Sequence, residues 1–194
     1  MDFQTLKQEY LTCRKCPELV KSRSQVVFGS GNEKADVLLL GEAPGFHEDQ
    51  KGIPFCGQSG KVLDELLGLI ALSREDIFIT NTLLCRPPDN RNPAKEEISN
   101  CRERLDRLME IMRPKVIVTI GNFATERIIG RAGINSLRGK VFDYQGIKVI
   151  PTIHPASYLY SGRSPEMFEK MKKDFRKIRE IINLKPEQKR LAEF

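Results

Sequence analysis

The chain has 194 residues, of which 40% are hydrophobic, enough for one well-buried core and too little for two large ones. Lys and Arg number 32 against 26 acidic residues, a net charge of +6, which leans only slightly toward nucleic acid as a partner and excludes little else. Nowhere do about 18 apolar residues run together, so no membrane span is predicted.

The elements follow in chain order. The opening "MDFQTLKQEY" is polar and reads as a short helix, not a signal peptide, so a cytoplasmic protein is expected. Apolar runs at "ADVLLLGE" (35–42), "EDIFITN" (75–81), "KVIVTIGN" (115–122) and "IKVIPTIHP" (147–155) read as strands. The first and third lack alternation, as parallel strands covered on both faces do. Between them, "SGKVLDELLGLI" (59–70) sets Val62, Leu63, Leu66, Leu67 and Ile70 on one side of a helix. "NPAKEEISNCRERLDRLMEIMR" predicts a helix capped by Asn92, with Pro93 at its first position. "NFATERIIG" follows the third strand, "VFDYQGIKVI" reads as a hairpin through Gln145–Gly146, and a last helix begins at Ser164–Pro165. Strand–helix alternation predicts a three-layer α/β/α domain with a central, mostly parallel four-stranded sheet. Neither a repeat nor a linker interrupts it, so residues 1–194 read as one domain, with a charged, loose tail from about residue 184.

Ligands of open α/β sheets bind beyond the carboxyl ends of the strands. Glu42, Asn81 and His154 all fall at that rim, where a core has no need of them, so a pocket is expected. The Gly/Pro loop "GEAPGFHEDQKGIPF" allows close backbone approach to a ligand, but it matches neither the Walker nor the dinucleotide pattern. Pro155 holds His154 extended and aims its ring, which favours a donor role over a structural one; His47 reads as solvated.

Five cysteines, an odd number in an intracellular setting, argue against disulfides. Cys13, Cys16, Cys85 and Cys101 form a set, C-x2-C and C-x15-C separated by 68 residues, suited to tetrahedral zinc or an iron–sulfur cluster. Spacing does not choose between the two. Such a centre would pin the N-terminal segment to the loop after the second strand, whose Arg86 and Arg91 could face phosphate. Cys56 stands apart and reads as a small buried hydrophobe.

Taken together, "GEAPGFHEDQKGIPFCGQSG", "NTLLCRPPDNRNPAKEE", "IGNFAT", "LRGKVFDYQGIKVIPTIHPASYL" and the four cysteines resemble the family 4 uracil-DNA glycosylases of the uracil-DNA glycosylase superfamily, over roughly residues 13–160. The resemblance implies a [4Fe–4S] cluster on Cys13, Cys16, Cys85 and Cys101. It implies removal of uracil from single- or double-stranded DNA in base excision repair, leaving an abasic site. Phe55 would face the flipped ring, Asn81 would accept from uracil N3–H and donate to O4, and His154 would donate to O2. Backbone N–H groups around Glu42–Ala43 would help hold the base. Other branches carry an aspartate where Ala43 stands, so Glu42 becomes the candidate holder of the attacking water. Glu48 would exclude the thymine methyl. "HPASYLYSGR" resembles a loop that enters the duplex, with Tyr158 or Leu159 as wedge, and Arg163 and Arg86 on DNA. The basic residues of the last helix read as a solvated face. No histidine occurs in "RAGINSLRGK", where a related branch traps DNA covalently, so turnover by a monomer is expected. A catalytically silent, cluster-bearing DNA-binding module is the alternative, and a zinc-stabilised α/β protein with a small ligand is the third.

Overall fold

The computed structural model describes residues 2–182. The tail expected to be loose lies outside the described residues. In chain order the elements are α1 (Phe3–Leu11), α2 (Pro17–Ser22), β1 (Ser30–Gly31), β2 (Val37–Gly41), α3 (Phe46–Lys51), α4 (Gln58–Leu69), β3 (Phe78–Asn81), α5 (Lys95–Met112), β4 (Val116–Ile120), α6 (Asn122–Ile129), α7 (Ile134–Leu137), β5 (Phe142–Tyr144), β6 (Ile147–Thr152), α8 (Pro155–Tyr160) and α9 (Pro165–Ile182).

The sheet has six strands in the order β1-β3-β2-β4-β6-β5, not the four expected from sequence. The inner four, β3-β2-β4-β6, are the apolar runs, and they are parallel. Both edges are antiparallel additions. β1 has only two residues, one of them glycine, so it carries no hydrophobic pattern to read. β5 returns on β6 through Gln145–Gly146, both with positive φ (53° and 83°), the backbone that a tight two-residue hairpin requires.

Side chains alternate across β2 into two cores. Leu38 and Leu40 point to the layer of α1, α2, α5 and α6, among Leu6, Tyr10, Leu19, Leu105, Leu108 and Ala124. Val37 and Leu39 point to the layer of α4 and α9, among Leu63, Leu66, Leu67, Met171, Phe175 and Ile178. The expected α/β/α layering therefore holds, and every residue of β2, β3 and β4 is buried.

Helix α5 starts at Lys95, two residues later than the sequence suggests. Asn92 precedes a proline, which disfavours the helical region for it. Ala94 occupies the cap position, and the Glu97 carboxylate accepts its N–H at 2.7 Å. The N-terminal segment is held by protein contacts. Arg107 donates through both terminal nitrogens to Glu9 at 2.8 and 2.6 Å. Phe3 meets Phe28 and Phe78 edge-on, with centroids 5.7 and 5.3 Å apart.

Candidate active site

The carboxyl ends of β2 and β3 lie side by side, with Gly41 in register with Asn81. The pairing continues past the strands, where Thr82 and Leu83 donate to the carbonyls of Gly41 and Glu42 at 2.8 and 2.9 Å. Asn81 is buried, and among the described residues its Nδ2 has no hydrogen-bond partner. A buried amide without a partner is costly and uncommon. Gly41 makes room for it: a Cβ there would stand 2.3 Å from Asn81 Oδ1 and 2.8 Å from the Phe55 ring.

Phe55 is buried with a left-handed backbone, φ 52°, rare for a bulky residue. Three neighbours impose it. Glu48 Oε1 accepts the Phe55 N–H at 2.7 Å, and its other oxygen accepts the Gly45 N–H. Arg74, itself paired with Asp64 at 2.6 Å, donates to the Phe55 carbonyl at 2.5 Å. Gly60 lets that carbonyl approach, for a Cβ there would lie 1.7 Å from it. The ring so placed stacks on His154, centroids 5.6 Å apart and planes 24° from parallel.

His154 caps α8 with extended backbone before Pro155, as its sequence predicts. Its Nδ1 accepts the Ala156 N–H at 3.1 Å. A nitrogen that accepts carries no proton, so in the neutral ring Nε2 bears the hydrogen. Burial pulls the imidazole down to about 4 and keeps it neutral at physiological pH. Gly121, at the end of β4, backs against His154.

Glu42, Ala43, Glu48, Phe55 and His154 line one cleft of about 410 Å³, with Arg91 and Tyr160 also on its wall. Asn81 lies behind this wall, beside Gly41 and Phe55. Burial raises the Glu42 carboxyl above its ordinary value, with no ion pair opposing it. It also raises Glu48, against the pull of its two backbone donors.

The residues assigned to DNA from sequence are more scattered. Tyr158 and Leu159 are half-buried on the α4–α9 core, and the Tyr158 ring lies 5.2 Å from Phe168. Arg163 is exposed with φ 62°. Arg86 donates to Asn90 at 2.8 Å and sits 5.1 Å over the Phe46 ring. Arg91 is forked onto Glu97 at 2.9 and 2.6 Å. On α9, Lys170 and Lys172 pair with Glu166 and Glu169, as a solvated face does. Sequence reasoning missed Tyr160, which is 90% exposed and reaches the cleft although it stands beside the two wedge candidates. It also missed Arg74, the clamp on Phe55.

All five cysteines are free thiols. Cys85 and Cys101 are buried in the α5-side core, and Cys13 and Cys16 pack half-buried against it. Arg23 donates to Cys85 Sγ at 2.7 Å and to the Cys13 carbonyl at 2.6 Å; Asn100 donates to Cys16 Sγ at 3.5 Å. Burial pushes the Cys85 thiol up to about 11. Among the described residues, no three Cys, His, Asp or Glu side chains converge as one metal ion would require. Cys56, expected to be buried, is half-buried.

The model of the uracil DNA glycosylase superfamily matches residues 28–176. A type-4 uracil-DNA glycosylase of Archaeoglobus fulgidus is 44% identical over 187 residues, covering 92% of each chain. One from Sulfurisphaera tokodaii is 40% identical, over 92% of this chain and 84% of its own. A type-5 enzyme of Pyrobaculum aerophilum is 30% identical, over 75% of this chain and 79% of its own. The chain belongs to the uracil DNA glycosylase superfamily and, within it, groups with the type-4 uracil-DNA glycosylases.

Proposed function

We propose that the chain is a monofunctional uracil-DNA glycosylase, one domain acting as a monomer on the DNA inside the cell. It hydrolyses the bond between uracil and deoxyribose in single- or double-stranded DNA and leaves an abasic site for base excision repair. The observation that carries this reading is the meeting at Phe55 of a carboxamide with an unpartnered Nδ2 and an imidazole whose Nε2 bears the proton.

Uracil leaves the stack before a pocket can hold it. Phe55 offers the extruded ring an aromatic face. Asn81 accepts from N3–H through Oδ1 and donates to O4 through Nδ2. Cytosine presents the opposite pattern and leaves buried groups unpaired, at about 1–3 kcal/mol each. As the glycosidic bond breaks, negative charge gathers at O2, where His154 Nε2–H donates. A neutral imidazole, held so by burial, is the donor here. Backbone N–H groups at Glu42–Ala43 grip the base. Glu42, a desolvated carboxylate, orients the attacking water. Glu48 sets the Phe55 backbone, and its carboxylate borders uracil C5, where thymine carries a methyl. Arg86 and Arg163 meet phosphate. Tyr158 and Leu159 form the loop that enters the duplex, and exposed Tyr160 extends its apolar surface.

Cys13, Cys16, Cys85 and Cys101 would hold a [4Fe–4S] cluster in preference to zinc. Four thiols come to one core from three segments, and Arg23 and Asn100 already donate N–H groups to two of the sulfurs, the outer-shell bonding that clusters use. Bound there, the cluster would serve as a cross-link from the N-terminal segment to the loop after β3 and to α5.

Release of free uracil from an oligonucleotide, with thymine and cytosine substrates as controls and both strand states compared, tests the proposal. DNA binding without release supports the silent binding module instead. Purified protein should be brown and contain iron and acid-labile sulfide; colourless protein with zinc would refute the cluster.

A further inference from the structure

One buried ion takes no part in the chemistry above. Arg104 lies on the inward face of α5 and is fully buried. Its Nη2 donates to the carbonyl of Asn81 at 2.6 Å and to that of Thr82 at 3.3 Å, and its Nη1 reaches the Thr80 hydroxyl at 3.4 Å. One planar fork thus grips three successive residues at the end of β3, in a geometry that lysine cannot reproduce. The middle residue of the three carries the carboxamide that faces Gly41 and Phe55.

The guanidinium has no carboxylate among these partners, and its Nε has no partner among the described residues. A cation in a dry interior needs a counter-charge. Cys101 precedes Arg104 by three residues, so the two share one face of α5. Cys101 and Cys85 lie near enough to favour its charge once cluster binding strips their protons, while Arg127, a second cation, opposes it. The residues that would ligate the cluster therefore stand next to the arginine that holds the strand end.

We propose that Arg104 is a positioning residue for uracil recognition: it fixes the end of β3 so that the Asn81 carboxamide presents its acceptor and donors to the base, and the Cys85 and Cys101 thiolates supply its counter-charge. This rests on the glycosylase reading and on the four-cysteine ligand set. It also gives the cluster a role beyond cross-linking, because the centre's negative charge permits a buried cation one layer behind the active site.

The test uses Arg104→Met, Arg104→Lys, Asn81→Ala and the Arg104→Met/Asn81→Ala double variant of the cluster-loaded protein. Single-turnover uracil release and the reduction potential of the centre are measured. Arg104→Met should slow release about 100-fold, the scale of a small misplacement at a reacting site. In the Asn81→Ala background the same change should cost less than about threefold, because its target is already gone. Losing the positive charge should make the potential more negative in Arg104→Met. Arg104→Lys should keep the potential near that of the parent but still release slowly, since it keeps the charge and not the fork. Wild-type release by Arg104→Met, or full additivity with Asn81→Ala, overturns the positioning role. An unchanged potential overturns the charge pairing. If Arg104→Met does not fold, Arg104→Lys decides through the same cycle, and normal release by it refutes the proposal. A parent protein that frees no uracil refutes the glycosylase reading instead, while the potential comparison still tests the charge pairing.

Discussion

The two ends of the parallel sheet are built on opposite principles. At the amino ends of its strands, charge is exposed and paired: Lys115 meets Asp36 at 2.9 Å and Lys148 meets Asp143 at 3.1 Å. At the carboxyl ends, polar groups are buried and short of partners: Asn81 Nδ2 is unpaired, Glu42 is desolvated, His154 is held neutral and Phe55 is in a strained backbone. Folding alone would favour the first arrangement at both ends. The second is tolerated where a ligand is to complete it, so the location of unsatisfied groups marks the site more sharply than the fold does.

The contrast can be broken most forcefully at Asn81 and His154. Replacing either with Ala should lower uracil release about 10²–10³-fold, the usual cost of removing one donor from a charge-stabilising site. Asn81→Ala should cost less than about 1 kcal/mol in thermal unfolding, because it also removes a buried group that has no partner. A large stability loss with activity retained would overturn the comparison. Next comes Gly41→Ala. Its Cβ would stand 2.3 Å from Asn81 Oδ1, so release should fall about tenfold or more and stability by about 1–3 kcal/mol, read by single-turnover kinetics and calorimetry.

The pH dependence separates His154 from the carboxylates of the site. His154 lies near 4 when folded against 6.5 when unfolded, so the unfolded chain binds the extra proton first. Its contribution to stability is complete above pH 6.5 and is lost as pH falls toward 4, which unfolding curves across that window should show and His154→Gln should remove. If Glu42 orients the water as proposed, an acid limb in the rate should follow its carboxyl, raised by burial, and Glu42→Gln should flatten that limb. The smallest effect is expected at the other end of the sheet. Lys115→Ala breaks a pair whose side chains are 61% and 51% exposed, and it should change stability by about 0–1 kcal/mol and leave release unaltered.

Much of this contrast was legible in the chain. The four inner strands announced themselves because strands covered on both faces are almost continuously apolar, and their ends then placed Glu42, Asn81 and His154 on one rim. The edge strands were not counted, since β1 is two residues long and β5 belongs to a short hairpin. What local pattern could not convey was how the side chains are held. Arg74 sits in a charged turn, and nothing near it in sequence reveals that it grips Phe55. Arg104 is legible from its register: positions 101, 104, 105 and 108 form the buried stripe of α5, so an arginine at the second of them faces inward. Tyr160 was hidden by its neighbours, because pattern cannot say which of three consecutive apolar side chains in "SYLY" turns outward.

The clamp on Phe55 has a consequence for search. Uracil is rare among the bases of a genome, and nearly every encounter is with the wrong one. Glu48, Arg74 and Gly60 fix the ring before any nucleotide arrives, so if Phe55 faces the base as proposed, the template against which each base is judged stays the same from one trial to the next. The energetic burden of each inspection then falls on opening the DNA, and bases already loosened in their helix are sampled first.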